Sequence, residues 1–248
     1  MIDLHSHVLP GLDDGAEDLA EAVSICRAAV ADGISVLAAT PHVRDDYPTT
    51  PEQMEAALAD LRAAVGDELR LLPGGELALE QLERPAKELR RFALAGNPDY
   101  LLVETPYLGW PLDIGDRLFG LLATGVTPVL AHPERNGDVQ ERPELLEPLV
   151  ASGVLVQLTA GAVDGSLGRR SHVAAFDLLD RGLAHLIASD GHAPSIRRIG
   201  MSAAAAALGD DALARWLTVD VPGAIVDGGT PPPRPGQGRP RRKRFFRR

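Results

Sequence analysis

The chain has 248 residues, is 45 % hydrophobic and carries a formal net charge of −10. This length suits a single α/β barrel with a large buried core, and the single cysteine, Cys26, excludes an intramolecular disulfide. The first residues lack the basic and apolar segments of a signal peptide, and no apolar run of about 18 residues predicts a transmembrane helix, so we expect a cytoplasmic protein.

The charge is divided unevenly along the chain. Residues 229–248 contain eight basic residues and no acidic ones; removing those eight from the 25 basic residues leaves 17 against 35 acidic residues, a formal charge of −18 for residues 1–228. A body this acidic repels nucleic-acid phosphates, which disfavours a nuclease-like role. We therefore predict a folded domain over residues 1–228 and a disordered, basic, Pro- and Arg-rich tail over residues 229–248.

Short apolar segments alternate with longer amphipathic segments along the domain. The predicted strands are Met1–Leu4, Ile34–Ala39, Arg70–Pro73, Tyr100–Val103, Thr127–Ala131, Val154–Leu158 and His185–Ala188. The predicted helices are Glu17–Asp32, Pro51–Val65, Leu79–Ala93, Asp113–Thr124, Pro143–Ser152 and Arg169–Arg181. Seven β–α units in succession favour a closed (β/α)7 barrel over an open sheet, so we predict an α/β fold of this kind.

Histidine and carboxylate residues follow six of the seven predicted strands. They are His5, His7 and Asp14 after strand one, His42 after strand two, Glu76 after strand three, Glu104 after strand four, His132 after strand five, and Asp190 and His192 after strand seven. The strand ends of an α/β barrel open onto one face, so these nine side chains should converge there. Imidazoles and carboxylates bind Zn, Mn or Fe, and nine ligands suffice for two or three ions with shared carboxylates. The two other histidines, His172 and His185, are interpreted as structural.

Three arginines follow the candidate ligands closely: Arg44, Arg135 and Arg197. A guanidinium matches phosphate in bidentate geometry, so metal ions and arginines together favour a phosphoester substrate, although any one of the three can be an ordinary surface residue. Cys26 lies on the apolar face of a predicted helix and is not part of a CxxxxxR loop, so cysteine-dependent phosphatase chemistry is not predicted. The chain also lacks the GxGxxG, GxxxxGK[ST] and GxSxG patterns.

The ordered motifs HSH, TPH, PGGE, HPER and SDGH resemble the PHP (polymerase and histidinol phosphatase) family over about residues 1–228. Within that family the chain looks most similar to the bacterial metal-dependent tyrosine-protein phosphatases of capsule and exopolysaccharide operons. Asp14, in HSHVLPGLDDG, and Glu104 both stand where other branches often carry histidine.

The resemblance implies a distorted β/α barrel that holds three divalent metal ions, usually manganese, with iron, zinc or cobalt as other options. The implied ligand sets are His5, His7, Glu76 and Asp190; Glu76, Glu104 and His132; and Asp14, His42 and His192, with Glu104 bridging. Arg135 and Arg197 match the phosphate-binding arginines of this branch, and Arg44 is a further candidate for substrate binding. The implied substrate is phosphotyrosine in the tail of a membrane-bound tyrosine kinase that controls polysaccharide export.

The expected reaction is hydrolysis of a phosphate monoester by metal-activated hydroxide, without a covalent phosphoenzyme. A phenolate, with a pKa of about 10, leaves without much protonation. An alkyl phosphate needs a general acid, which His42 or His192 can supply only if it is free of metal.

Three questions stay open from the sequence. A small-molecule PHP phosphatase, such as a histidinol-phosphatase or a nucleotide phosphatase, would use the same ligands. A metal-holding barrel that binds a partner without catalysis is a second alternative. The basic tail, with Phe245 and Phe246, is either a solubilising end or a contact to anionic membrane lipids.

Overall fold

A computed structural model describes residues 1–192 and 198–236 of the chain. Ten strands are assigned: β1 Ile2–Asp3, β2 Val36–Ala39, β3 His42–Arg44, β4 Tyr47–Pro48, β5 Arg70–Pro73, β6 Glu76–Leu77, β7 Tyr100–Glu104, β8 Thr127–Ala131, β9 Leu155–Thr159 and β10 Leu186–Ala188. All pairings between them are parallel except that of β3 with β4. The mixed α/β fold predicted from the sequence is confirmed.

The strands form one closed surface. Strands β1, β2 and β5 pair in one sheet, and β10, β9, β8, β7, β6, β3 and β4 pair in a second. The two sheets are joined because β3 continues the path of β2, and β6 continues that of β5, after breaks of two residues. At the other edge, the Asp190 amide donates to the His5 carbonyl over 2.9 Å, and the His7 amide donates to the Gly191 carbonyl over 2.8 Å. These bonds join the first strand to the last and close a barrel of seven strand paths.

The break between β5 and β6 depends on glycine. A Cβ atom on Gly74 would lie 2.9 Å from the Thr40 methyl group, and one on Gly75 would lie 2.8 Å from the Phe92 ring. The Thr40 and Phe92 side chains therefore pack directly against the backbone of these two glycines, in space that a side chain at either position would need. Glu76, the first residue of β6, directly follows these two glycines.

Eleven α-helices are assigned in the described chain, with short 3₁₀ segments between several of them. They are α1 Leu19–Ala31, α2 Pro51–Val65, α3 Ala86–Leu89, α4 Ile114–Ala123, α5 Gly137–Glu141, α6 Glu147–Ala151, α7 Ala160–Val163, α8 Arg169–Arg181, α9 Met201–Ala207, α10 Asp211–Arg215 and α11 Val221–Asp227. Their starts follow local chemistry: Asp18 caps α1, and Thr50 forms a capping box with Gln53 at the start of α2. None of the described helices is long and apolar enough to cross a bilayer.

Two predicted helices are interrupted in the structure. The predicted helix Leu79–Ala93 is a 3₁₀ segment, Leu79–Glu83, followed by the short helix α3. Pro85 stands between them with ψ of 137°, so it cannot continue the first segment and begins the second. The predicted helix Pro143–Ser152 likewise divides into a 3₁₀ turn and α6, with Pro148 in the first turn of α6.

The predicted tail begins against the body of the protein. The Trp216 indole N–H donates to the Pro232 carbonyl over 2.8 Å, so the segment after α11 returns to the barrel. Residues 237–248, including Phe245 and Phe246, lie outside the described residues. The division at residue 228 and the state of the tail therefore remain predictions.

His185 connects the last strand to this C-terminal region. Its amide donates to the Val156 carbonyl over 2.9 Å, and its Nδ1 accepts from the Val156 amide over 3.1 Å. Its ring lies 6.3 Å from the Trp216 ring. Burial, with a smaller effect from Arg234, lowers the pKa of His185 to about 4. The structural role predicted for this histidine is consistent with these contacts.

We expect His185 to make stability depend on pH. Because its folded-state pKa lies below the ordinary value of about 6.5, protonation of His185 favours the unfolded chain. The contribution of His185 to the free energy of unfolding is therefore fully present above about pH 6.5 and is lost as the pH falls toward 4. Between pH 7.5 and 5 this amounts to about 1–2 kcal/mol. Urea unfolding at several pH values should show a flatter profile for His185→Gln, which keeps an acceptor for Val156; an unchanged profile would contradict the assignment.

Candidate metal centre

The nine predicted ligands converge at the C-terminal ends of the strands, as expected. Eight of them are buried, and only Asp14 is exposed. Their donor atoms form four overlapping groups: His7, Asp14, His42 and His192; His5, His7 and Asp190; His5, Glu76 and His132; and His42, Glu76 and Glu104. The residues come from six strand paths, and the barrel alone brings them together.

Glu76 lies at the centre of these groups. One carboxylate oxygen is 2.8 Å from His132 Nε2, and the other is 2.9 Å from His42 Nδ1 and 3.4 Å from the Nε2 atoms of His5 and His7. Burial alone would raise the pKa of Glu76, but His5, His42 and His132 hold it well below its ordinary value. Glu76 is therefore an ionised carboxylate in a ring of four imidazoles.

His5 and His7 present nitrogen lone pairs toward the same point. His7 Nδ1 is 2.7 Å from Asp13 Oδ2, and His5 Nδ1 is 2.9 Å from Gln157 Oε1. Each acceptor favours the tautomer with the proton on Nδ1, which leaves Nε2 free as a ligand. The two Nε2 atoms are 3.1 Å apart, and Asp190 Oδ1 is 3.5 Å from the first and 3.2 Å from the second.

These spacings fit shared cations. Donors that lie about 2.1 Å from an ion in tetrahedral geometry are about 3.4 Å from one another. Among the described residues, His42 Nδ1, Glu76 Oε2 and His132 Nδ1 are buried without a hydrogen-bond partner. Buried donor atoms without a hydrogen-bond partner are costly, and a cation bound among them would satisfy them. The donor set therefore fits divalent metal ions.

The outermost group surrounds Asp14. Its Oδ1 lies 3.3 Å from His192 Nε2 and 3.5 Å from His42 Nε2. Contact with His192, and with His42 and His7, lowers the pKa of Asp14 although it is partly exposed. Since His192 Nδ1 is 2.8 Å from the Asp190 carbonyl, its Nε2 is directed at Asp14. Asp14, His42 and His192, which the third implied ligand set contains, thus lie together, with His7 in the same group.

Glu104 lies on the His42 side of the centre. Its Oε2 is 3.7 Å from His42 Nδ1, and its Oε1 accepts from Arg44 Nη1 over 3.0 Å. Burial and the neighbouring Glu76 raise the pKa of Glu104. The implied ligand sets placed Glu104 with Glu76 and His132 and also as a bridge to the set of His42; in this structure it shares a group with His42 and Glu76, and His132 lies in another group.

The three arginines have different positions. Arg135 Nη1 is 2.6 Å from Asp190 Oδ2, and its guanidinium carbon lies 4.6 Å from the centre of the Tyr107 ring. Arg44 pairs with Glu104 and Asp46 and lies 5.1 Å from the Tyr47 ring. Both therefore lie at the rim of the centre. Arg197 lies outside the described residues.

Asp13 is a supporting residue that sequence reasoning missed. Its side chain is buried; Oδ2 accepts from His7 and from the His42 amide, and Oδ1 accepts from the Gly15 amide. The signal was the adjacent pair of carboxylates in LDDG, but spacing could not tell which one faces the ions. Gln157, which accepts from His5, was also missed. It lies within the sixth predicted strand, which is not followed by a histidine or a carboxylate and therefore gave no signal.

The loop that carries Asp13 and Asp14 folds back on the first strand. A Cβ atom on Gly15 would lie 1.9 Å from the His7 carbonyl oxygen. Only glycine permits this approach, and the Ala16 amide then donates to the same carbonyl over 3.1 Å. The turn places both carboxylates beside the histidines of the strand.

Two candidate ligands have a left-handed backbone. The φ angles of His132 and Asp190 are 38° and 51°, and Ala95 is the third non-glycine residue with positive φ in the described chain. This conformation is strained for both residues and is held by the surrounding barrel.

Cys26 is buried in α1, and burial raises its pKa to about 12, which suits a packed thiol rather than a nucleophile.

Comparisons with known proteins agree with this geometry. Residues 1–221 match the family model "Capsular polysaccharide synthesis, CpsB/CapC". The chain is 35 % identical over 196 residues to the tyrosine-protein phosphatase YwqE of Bacillus subtilis, with 77 % of each chain covered, and 29 % identical over 198 residues to the putative tyrosine-protein phosphatase CapC of Staphylococcus aureus, again with 77 % of each covered.

A solved structure is similar over nearly the whole chain. It belongs to a study of YwqE from Bacillus subtilis and CpsB from Streptococcus pneumoniae, described as unique metal-dependent tyrosine phosphatases. The TM-score is 0.83 and the identity 31 %, with 93 % of this chain and 96 % of that chain covered.

We expect Asp13→Asn to weaken metal binding. Asparagine keeps the volume of Asp13 but has only one acceptor oxygen for three donors, so the ring of His7 loses its fixed tautomer. Supporting residues of this kind contribute about 10- to 100-fold to metal affinity. The measurement is metal content after dialysis, together with Mn²⁺ titration of the stripped protein. Glu17→Gln removes one charge from the same loop and serves as the control; equal affinities of the two variants would contradict the role of Asp13.

Proposed function

This chain belongs to the CpsB/CapC family of capsular polysaccharide synthesis proteins, and we propose that it is a metal-dependent protein-tyrosine phosphatase. The observation that carries the proposal is the convergence of nine histidine, aspartate and glutamate side chains into four overlapping groups beside Arg135. Metal ions and a guanidinium at one point suit a dianionic phosphate ester.

We assign three divalent cations to the centre, with manganese as the first candidate. Support comes from the number of donors and from the position of Glu76, whose two oxygens face different histidines as a bridging carboxylate does. The proposed ligands are His5, His7, Asp14, His42, Glu76, Glu104, His132, Asp190 and His192. A mixed imidazole and carboxylate set suits manganese, and iron, zinc or cobalt also accept it.

When bound, the cations lower the pKa of water and polarise the phosphoryl group, so that hydrolysis needs no covalent phosphoenzyme. The chain's own groups hold and orient the substrate. Arg135, fixed by Asp190 and by the Tyr107 ring, offers its guanidinium to the phosphate oxygens. Arg44, fixed by Glu104, offers a second cation at the rim; Arg197 is proposed by family resemblance alone.

The leaving group explains why a tyrosine ester suits this centre. His42 and His192, the two candidate general acids, both lie in the group around Asp14 and are assigned as metal ligands. Without a free general acid the centre favours a leaving group that departs as an anion. Phenolate, with a pKa of about 10, does so far more readily than an alkoxide.

The proposed partner is a phosphotyrosine protein of polysaccharide export, with a membrane-bound tyrosine kinase as the candidate. A cytoplasmic location follows from that partner. Contact of the basic tail with anionic lipids is a separate proposal that rests on its eight basic residues. Cosedimentation with anionic liposomes, compared between the full chain and a variant that ends at residue 228, tests it.

We expect manganese-dependent release of phosphate from a phosphotyrosine peptide by the metal-reconstituted protein. Chelator should abolish it, and Cys26→Ser should leave it unchanged because that thiol is buried away from the centre. Histidinol phosphate and a nucleotide monophosphate are measured in parallel. Release from the small molecules alone would support the small-molecule alternative, and retained metal without turnover of any ester would support a binding module.

We expect Glu76→Ala to abolish both activity and retention of the full set of ions. The substitution removes the carboxylate that faces four histidines, and turnover should fall at least about a hundredfold. Metal analysis gives the number of ions per chain, and circular dichroism of the stripped proteins reports the fold. Glu68→Ala, at an exposed position after α2, is the control. A Glu76→Ala protein with three ions and normal turnover would overturn the three-ion assignment.

A further inference from the structure

The segment between β7 and α4, residues 105–113, exposes an unusual amount of apolar surface. Leu108 is 88 % exposed and Leu112 is fully exposed, and these are the two most exposed large apolar side chains in the described part of the molecule. Tyr107, beside them, is 42 % exposed. We call residues 105–113 the β7–α4 loop. Adjacent exposed apolar side chains in a water-facing loop commonly mark a binding surface.

This loop is held in place by a buried side chain. Asn136, which is 1 % exposed, donates from Nδ2 to the carbonyls of Pro106 and Gly109, and the Gly137 amide donates to the Tyr107 carbonyl over 3.2 Å. Asn136 directly follows Arg135. The β7–α4 loop is thus fastened to the segment that carries His132 and Arg135, and its apolar side chains are presented from a fixed backbone.

The loop begins inside the metal centre and runs outward. Glu104, a candidate ligand, directly precedes it. The Tyr107 ring lies nearly parallel to the His132 ring, with the centroids 5.9 Å apart. A groove of about 410 Å³ follows, lined by Arg44, Leu79, Glu104, Pro106, Tyr107 and Pro111. One continuous surface therefore connects the ligands to the apolar loop.

We propose that the β7–α4 loop binds the polypeptide that flanks the phosphotyrosine, with Leu108 and Leu112 in contact with apolar side chains next to it. The inference rests on the proposed phosphatase function. Because the metal ligands are buried, a tyrosine whose phosphate reaches them must lay its flanking residues over the rim. Among the described residues of that rim, this loop exposes the most apolar surface. A small phosphate ester fills only the centre and does not reach Leu108 or Leu112.

The apolar surface of the loop, rather than its charge, indicates which polypeptide sequences bind there. The groove is lined by both signs, with Arg44 and Arg117 opposite Glu80, Glu104 and Asp113. Arg117 is already paired with Asp113 over 2.6 Å. The surface therefore selects for apolar side chains rather than for net charge in the flanking sequence.

The test compares Leu108→Ser/Leu112→Ser with Val173→Ser, which replaces a side chain on α8 that is 58 % exposed. Three substrates are used: p-nitrophenyl phosphate, a phosphotyrosine peptide with leucines on both sides, and the same peptide with serines instead. For the leucine peptide, kcat/KM of the loop variant should fall about tenfold, mainly through KM, as expected for loss of one or two apolar contacts. The other two substrates and the control variant should change less than about twofold.

Peptide binding, measured by fluorescence anisotropy with the metal-loaded full chain, gives a readout that needs no turnover. Wild-type protein should bind the leucine peptide more tightly than the serine peptide, and the loop variant should not distinguish them. An equal loss on p-nitrophenyl phosphate, no loss on any peptide, or a wild-type dimer that the loop substitutions dissociate would each overturn the proposal. Peptide discrimination without hydrolysis would instead retain this surface and refute the phosphatase assignment.

Discussion

The structure depends on one buried carboxylate. Glu76 is fully enclosed, yet its oxygens lie within 3.4 Å of four imidazoles that come from three other strand paths. A buried carboxylate of this kind is tolerated only where positive charge surrounds it. The barrel closure and the interrupted strand paths bring these four imidazoles to one point, where bound cations would supply that charge.

Around this centre the molecule is arranged by increasing exposure. Asp13 and Gln157 form the deepest layer, where they accept hydrogen bonds from the rings of His7 and His5. The candidate ligands form the middle layer, and Arg44 and Arg135 occupy the rim. Each rim arginine contacts a tyrosine, Tyr47 or Tyr107, and each tyrosine lies against a ligand histidine. The middle layer suits cations, the rim suits phosphate, and the β7–α4 loop beyond it suits a polypeptide.

Much of this could be predicted from the sequence, for a physical reason. In a parallel barrel each strand is buried on both faces and each strand end opens on the same side, so apolar runs followed by polar residues are directly informative. The predictions that failed concern local packing. The segment after β6 has a helical pattern but is divided at Pro85, and the helices after residue 200 follow short alanine- and aspartate-rich stretches without a clear period.

The sequence by itself determined the chemical class of the site, because only residue type and position relative to strand ends are needed to predict convergence of His5, Glu76 and Asp190. Only the tertiary structure decided which of two adjacent residues faces the candidate ligands and which one orients them. Asp13 and Asp14 are adjacent and chemically identical, yet one orients His7 and the other faces His42 and His192. That division depends on the turn at Gly15 and on contacts across the barrel, which involve residues far apart in the chain and leave no local pattern.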